Sequence, residues 1–209
     1  MTDRCCIFAG GDAVSESCLD KEFISSALII AADRGHLLAK SLGIDADVCI
    51  GDFDSSQKPV TGNIRCYPPE KDDTDLMLAV KLGLEKGCKL FQIYGAFGGS
   101  VDHLFGNIQS LAYLTENDAQ GVMIGNNDTI RLVRPGSYTE NERAGWSLSL
   151  FAYGGDVEGL GISGAKYNAD NIRLTDSFPL GVSNTVLSEN GAFISFKSGR
   201  LMIIRSRRD

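Results

Sequence analysis

The sequence predicts an α/β domain with a parallel sheet followed by a small all-β domain, and three observations carry that prediction. Through residue 125, short apolar runs that end in glycine or aspartate alternate with helical stretches. No linker, internal repeat or low-complexity segment interrupts them. From residue 126 onward the apolar residues recur with period two between turn clusters, and no helical pattern intervenes. The expected domains are therefore residues 1–125 and 126–209.

Bulk composition narrows the function. A chain of 209 residues, 43% hydrophobic, is long enough to bury a real core. A formal net charge of -7 argues against broad binding to nucleic acid or to an anionic membrane, because both need a basic surface. The arginines at 200, 205, 207 and 208 read as solvated or interface charge. All six cysteines fall in the first 88 residues without a Cys-x-x-Cys spacing, so they read as small buried hydrophobes, not a zinc site or disulfide framework. The apolar run after Met1-Thr2-Asp3-Arg4 is too short for a signal peptide, and nothing approaches the roughly 20 apolar residues of a membrane span. The expectation is a soluble, reduced, cytoplasmic protein.

The first strand, Cys5-Cys6-Ile7-Phe8-Ala9, ends in Gly10-Gly11-Asp12, a turn where backbone can approach a ligand. The second, residues 27–32, ends in Asp33-Arg34-Gly35 and leads into a short helix that stops at Gly43. The third, Val48-Cys49-Ile50-Gly51, runs into Asp52-Phe53-Asp54-Ser55-Ser56. Two readings of that exit are open: a polar turn that bonds its own backbone, or a carboxylate pair gathered around a hard divalent cation. A fourth strand, residues 64–67, leaves through Pro68-Pro69, which forces extended backbone. A helix over residues 76–87 follows, and its N-terminal turn carries Asp72, Asp73, Thr74 and Asp75, more acids than one N-cap needs.

The next strand, residues 90–94, opens into Gly95-Ala96-Phe97-Gly98-Gly99-Ser100-Val101-Asp102-His103 and a helix. Glycines between a strand and a helix start suit the close approach of phosphates. Asp102 is open to a capping role, and His103 reads as a partly buried, satisfied histidine in preference to a general base. A last strand ends at Gly125. The all-β half then places strands at residues 129–133, 146–153, 170–174, 191–197 and 200–205, the last two joined by a Ser198-Gly199 hairpin, in what is most simply a small antiparallel β-sandwich.

In a Rossmann-like parallel sheet all strand exits share one edge, so Asp33, Asp52 and Asp54, the turn at residues 72–75 and the loop at 95–102 converge on one crevice. Many carboxylates with glycine-rich backbone and no Cys/His set suit Mg²⁺ and a polyphosphate, which makes a nucleotide-dependent transferase the leading class.

Taken in order, Ala31-Ala32-Asp33-Arg34-Gly35, Gly51-Asp52-Phe53-Asp54-Ser55, Lys71-Asp72-Asp73-Thr74-Asp75, Gly98-Gly99-Ser100-Val101-Asp102-His103 and Ser183-Asn184 resemble the serial motifs of the thiamine pyrophosphokinase family. The resemblance implies Mg²⁺-dependent pyrophosphoryl transfer from ATP to the hydroxyethyl group of thiamine, giving thiamine diphosphate and AMP, in a homodimer with sites at the subunit interface. It implies that Asp52, Asp54 and Asp75 hold the metal and phosphates. Asp33, Lys71, Asp72, Thr74, Gly98 and Gly99 would bind the nucleotide, Asp102 would lie near the reacting groups, and Ser183 and Asn184 would form the thiamine pocket. One departure stands out: Ser100 occupies a position where the family usually has arginine, which removes a permanently charged phosphate ligand that Lys71 or Arg34 would have to replace.

Asp75 or Asp102 is the expected proton acceptor. Trp146 and Phe178 are candidate flat partners for the substrate, although either taken singly reads better as a core residue. The alternatives are a hydroxymethylpterin pyrophosphokinase and a catalytically weak thiamine-binding homologue. An aspartyl-nucleophile phosphatase or a signalling receiver would need its acidic pair after the first strand, where this chain has Gly10-Gly11-Asp12.

Overall fold

The computed structural model describes residues 2–51, 63–66, 72–143 and 145–207. The chain divides into two compact units, Met1–Asn126 and Asn127–Asp209.

In the first unit β1 (Arg4–Phe8), β2 (Leu28–Ala32), β3 (Val48–Gly51), β4 (Asn63–Cys66), β5 (Leu90–Tyr94) and β6 (Gln120–Ile124) run in the order β6-β5-β1-β2-β3-β4. Every pairing among them is parallel. Buried on both faces, the inner strands read as continuous apolar runs, which is why the sequence shows them plainly. On one face Cys6, Phe8, Ile29 and Tyr94 pack with Leu38 and Ala39 of α2 (Gly35–Ser41) and with Phe23 and Ile24 of α1 (Lys21–Ser26). On the other, α3 (Asp75–Glu85) closes onto β1 and β5 at Gly83, where a Cβ would stand 2.5 Å from the Phe91 ring and 3.0 Å from Cys5 Sγ. Gly121 gives the same close approach to Leu114 of α4 (Val101–Glu116).

The chain leaves β1 toward β2 on one side and returns through α3 to β5 on the other, so the strand order reverses between β1 and β5. Ligands in open α/β sheets bind at such a reversal, outside the strand carboxyl ends. The cysteines follow the expectation of burial at Cys5, Cys6, Cys49 and Cys88, but Cys66 is exposed and Cys18 half-buried. Cys18 lies beyond any strand, in a 3-10 turn, and Cys66 ends a strand whose residues are exposed or half-buried. Neither gains a core position from its neighbours.

The second unit is antiparallel. β7 (Asp128–Val133), β9 (Trp146–Ala152), β12 (Gly181–Asn184) and β14 (Leu201–Arg207) run in the order β12-β9-β14-β7. A separate sheet, in the order β11-β10-β13-β8, holds β8 (Gly136–Glu140), β10 (Val157–Ser163), β11 (Ala169–Leu174) and β13 (Ala192–Phe196). Both contribute to one core, with Leu148, Leu150, Leu201 and Ile203 from the first and Leu160, Ile162, Ile194 and Phe196 from the second. Arg205, 3% exposed, joins this interior with Glu140 and Arg131, its Nε donating to the Ser147 carbonyl (3.0 Å) and Nη1 to that of Asn141 (2.8 Å).

One expected connection is different. Ser198-Gly199 does not close a hairpin, because β13 pairs with β8 and β10 while β14 pairs with β7 and β9. Gly199, at φ 94°, carries the chain from one sheet to the other, and a Cβ there would meet the Asp156 carbonyl oxygen at 2.3 Å.

Candidate active site

The glycine turn after β1 and the glycine loop after β5 are held to each other. Beyond the last ladder bond, the N–H of Ala9 donates to Tyr94 O (2.8 Å), that of Gly11 to Gly95 O (2.8 Å) and that of Asp12 to Phe97 O (2.7 Å). The approach that Gly11 permits is thus to a second loop's backbone, where sequence reasoning expected a ligand. Gly98 takes a left-handed φ of 82°, and a Cβ on it would strike the Asp12 carboxylate at 2.1 Å. Asn107 of α4 fastens the same loop by donating its Nδ2 to Ala96 O (2.8 Å). Asp12 takes its role from a loop far away in sequence, and Asn107 from the loop that leads into its own helix.

At the start of α4, Ser100 is the N-cap, and Asp102 sits in the first turn instead of capping. The Ser100 hydroxyl donates to Asp102, and the His103 N–H adds a bond at 3.0 Å; together they hold this carboxyl below the usual carboxylate range. Ser100 therefore acts on Asp102 by hydrogen bonding where the family pattern has an arginine. His103 is exposed, not partly buried as its sequence context suggested, because the helix start points its first turn to solvent.

The acids before α3 divide their work. Thr74 is the N-cap, its Oγ1 accepting from Met77 N (3.1 Å), and Asp75 opens the first turn. Asp73 binds Lys81 with both oxygens at 2.7 Å, and this carboxylate raises the lysine's pKa. Asp72 is exposed beside them. After β2, Asp33 has φ 48°, its N–H donates to Ile50 O (2.7 Å), and its carbonyl accepts from His36 Nδ1 (2.8 Å). Arg34 reaches back to Gly10 O (3.2 Å). Parallel pairing puts the exits of β1, β2, β3, β4 and β5 on one edge, so Asp33, residues 72–75 and the loop at 95–102 share it. Asp52, Asp54 and Lys71 lie outside the described residues.

In the second unit, Ser183 is exposed with a left-handed φ of 61°, and its N–H donates to Ser149 Oγ (3.0 Å). Asn184 is buried, and its amide bonds the backbone of Tyr167 and Thr185. Trp146 is half-buried with the Arg143 guanidinium 5.4 Å from its ring, and Phe178 is exposed. Neither is the core residue that its type suggested.

A parallel sheet with glycine loops and a capped helix at its reversal edge, joined in sequence to an antiparallel β unit, defines a ligand-binding α/β protein with an added β module. Two family models match this chain: "Thiamin pyrophosphokinase, catalytic domain" over residues 19–124 and "Thiamin pyrophosphokinase, vitamin B1 binding domain" over residues 138–201. The chain belongs to the thiamine pyrophosphokinase family of enzymes. It is 34% identical over 190 residues to the thiamine pyrophosphokinase of Bacillus subtilis (strain 168), covering 86% of this chain and 87% of that one. Among solved structures it resembles a Bacillus subtilis thiamine pyrophosphokinase with a TM-score of 0.88 at 28% identity, covering 99% of both chains. A thiamin pyrophosphokinase family protein from Enterococcus faecalis matches with a TM-score of 0.82 at 25% identity, covering 99% of this chain and 100% of the other.

Proposed function

We propose that the chain transfers a pyrophosphoryl group from ATP to the hydroxyethyl oxygen of thiamine, giving thiamine diphosphate and AMP, with Mg²⁺ and as a cytoplasmic homodimer whose sites lie at the subunit interface. The observation that carries this reading is the bonding of the β1 and β5 exits at the strand-order reversal, on the same edge as the capped N-terminus of α3. The first unit is then a Rossmann-like nucleotide- and metal-binding domain, and the second a β-sandwich that binds thiamine and forms the dimer. A hydroxymethylpterin substrate is not favoured, since both matching family models carry the thiamin description.

Mg²⁺ fits the donors. The acids of this edge, Asp33, Asp72 and Asp75, offer hard carboxylate oxygens. Among the described residues no three His, Cys, Asp or Glu side chains are grouped closely enough to hold an ion. The family resemblance is what assigns Asp52 and Asp54, with Asp75, to the ion. Held by these carboxylates, Mg²⁺ would supply charge stabilisation to the phosphates during transfer. Thr74, whose Oγ1 lone pair takes the Met77 N–H, keeps its O–H to donate to a phosphate oxygen, and the positive end of α3 favours the anion. Asp33, Lys71, Asp72, Gly98 and Gly99 complete the nucleotide cradle, and Ser183 and Asn184 shape the thiamine pocket.

In the transfer a bond forms between the hydroxyethyl oxygen and the β-phosphorus, and the bond to the AMP oxygen breaks. The hydroxyl proton passes to a carboxylate, Asp75 or Asp102. Hydrogen bonds from the Ser100 hydroxyl and the His103 N–H lower the pKa of Asp102, which weakens it as a base, so it would take the proton only late in the transfer. AMP release from ATP, Mg²⁺ and thiamine is the direct test, run on the wild type and on Asp52→Asn. The wild type should form AMP and the variant should lose at least about a hundredfold. Full activity in Asp52→Asn would sink the metal assignment, and thiamine binding without AMP would favour a catalytically weak homologue.

A further inference from the structure

We propose that Arg34 is a phosphate-binding residue for the nucleotide, its guanidinium held at the strand-order reversal, an inference that rests on the polyphosphate substrate proposed above. Arg34 follows Asp33 at the exit of β2 and is the N-cap residue of α2. The backbone it departs from is fixed on every side. Asp33, at φ 48°, donates its N–H to Ile50 O (2.7 Å) and accepts from His36 Nδ1 at its carbonyl (2.8 Å), while the Arg34 carbonyl takes the Leu37 N–H (2.9 Å). A non-glycine residue stays in that left-handed region where its surroundings over-determine it. The arginine side chain therefore starts from a set position.

From there it crosses to β1, where Nη2 donates to Gly10 O at 3.2 Å. A Cβ on Gly10 would stand 3.2 Å from Arg34 Cβ and 3.6 Å from Asp33 Oδ2, so of the two glycines after β1, Gly11 serves the β5 loop and Gly10 the arginine. The turn at residues 10–12 is itself bonded to the Gly95 and Phe97 carbonyls, which anchors Arg34 to the backbone that continues into Gly98 and Gly99. Asp12, Asp33, Asp72, Asp75 and Asp102 place carboxylates along this edge, and like charge repels a polyphosphate unless cations offset it. Lys81 offers little, because both oxygens of Asp73 hold it at 2.7 Å. Ser100, at the start of α4, brings no charge. Arg34 keeps most of its own: Asp33 Oδ2 is 3.9 Å from Nε, too far for a hydrogen bond, and the side chain is 56% exposed. Among the described residues the Gly10 carbonyl engages only one of the guanidinium's N–H donors, and the others form the planar, permanently charged fork that matches phosphate oxygens.

The test measures KM for ATP and for thiamine separately, at low and high ionic strength, together with the thermal midpoint and direct ATP binding. Arg34→Met, which keeps the stem and removes the charge, should raise the ATP KM about tenfold, leave the thiamine KM within about twofold, and flatten the rise of ATP KM with salt. Arg34→Lys, which keeps the charge without the fork, should recover part of the loss and the salt dependence. An unchanged ATP KM in Arg34→Met overturns the inference, and a lowered midpoint beside it would make Arg34 only a brace between the β1 and β2 exits. An equal rise in both KM values, or Arg34→Lys behaving like Arg34→Met at both ionic strengths, overturns it as well. In each of these cases the wild type still forms AMP and the function stands. A wild type that forms no AMP but binds ATP about tenfold more tightly than Arg34→Met does overturns the function and supports the inference. Wild-type protein that binds no ATP overturns both.

Discussion

A methyl group at Gly11 would lie 2.2 Å from the Phe97 carbonyl oxygen and 2.6 Å from that of Gly95, so alanine there must push the β1 and β5 exits apart. Both contacts are to backbone, which cannot swing away as a side chain would. Gly11→Ala should therefore cost about 1–3 kcal/mol, read from the urea midpoint, and reduce AMP formation beyond what lost folding explains. Gly99 is a different case: its φ of 72° is left-handed but a methyl there would meet nothing within 4 Å, so only conformational strain opposes a side chain. The sequence marks both glycines equally. They become distinct only once the parallel ladder brings residues 9–12 beside residues 94–97, a long-range pairing that no local pattern encodes.

At the scale of elements, the most informative unit is the start of α3. Thr74 as N-cap, Asp73 paired with Lys81 and Asp75 in the first turn give three of the clustered polar residues separate structural positions. Thr74→Ala should destabilise by about 1 kcal/mol through the lost cap, with Thr74→Ser restoring most of it in urea unfolding. If the proposed phosphate contact is real, activity will fall further than stability in Thr74→Ala and return in Thr74→Ser.

Elements were legible where their periodicity was unbroken. The buried strands β1, β2, β3 and β5 and the helices α3 and α4 follow the expected runs closely. β10 escaped because Gly159, at φ 70°, inserts a residue between Val157 and Leu160; the register shift breaks the alternation that marks a strand. β12 is four residues long with a left-handed Ser183 inside it, and β8, Gly136–Glu140, carries little apolar character. α1 spans only six residues, too few for a helical period. The hairpin expected at Ser198-Gly199 reflects the rule that successive strands pair, which fails where a chain crosses between two sheets sharing a core. The candidate site shows the same division. Acids at strand exits announce themselves, whereas Gly11 gains its meaning from the carbonyl of Gly95, far away in sequence.

For the whole molecule, the ionisable groups set a window of pH within which the fold is most stable. On the acid side, four carboxyls among the described residues are held below their usual range: Glu16 by Lys21, Asp20 by the Phe23 N–H at the start of α1, Asp102 by the Ser100 hydroxyl and Asp156 by Arg173. A depressed carboxyl contributes stability above its unfolded pKa, near 4, and loses it as pH falls through the folded value. On the alkaline side burial pushes the Cys6 thiol up and the Tyr94 phenol up to about 12. Groups raised in the fold contribute fully below their unfolded values, so the loss begins near pH 8.5 for the thiol and near pH 10 for the phenol. Tyr94 is stacked on Phe8 with centroids 5.5 Å apart, donates to Gln92 Oε1 (2.8 Å) and accepts from Asp20 N (3.2 Å). Its ionisation would strand a charge inside the core, a loss of about 2–3 kcal/mol by pH 12. The urea midpoint should accordingly be flat from about pH 5 to about pH 8 and decline on both sides. Tyr94→Phe should lose about 1 kcal/mol at neutral pH with the two hydrogen bonds, yet show a shallower decline between pH 10 and pH 12. An alkaline slope identical to the wild type's would assign that decline to another group.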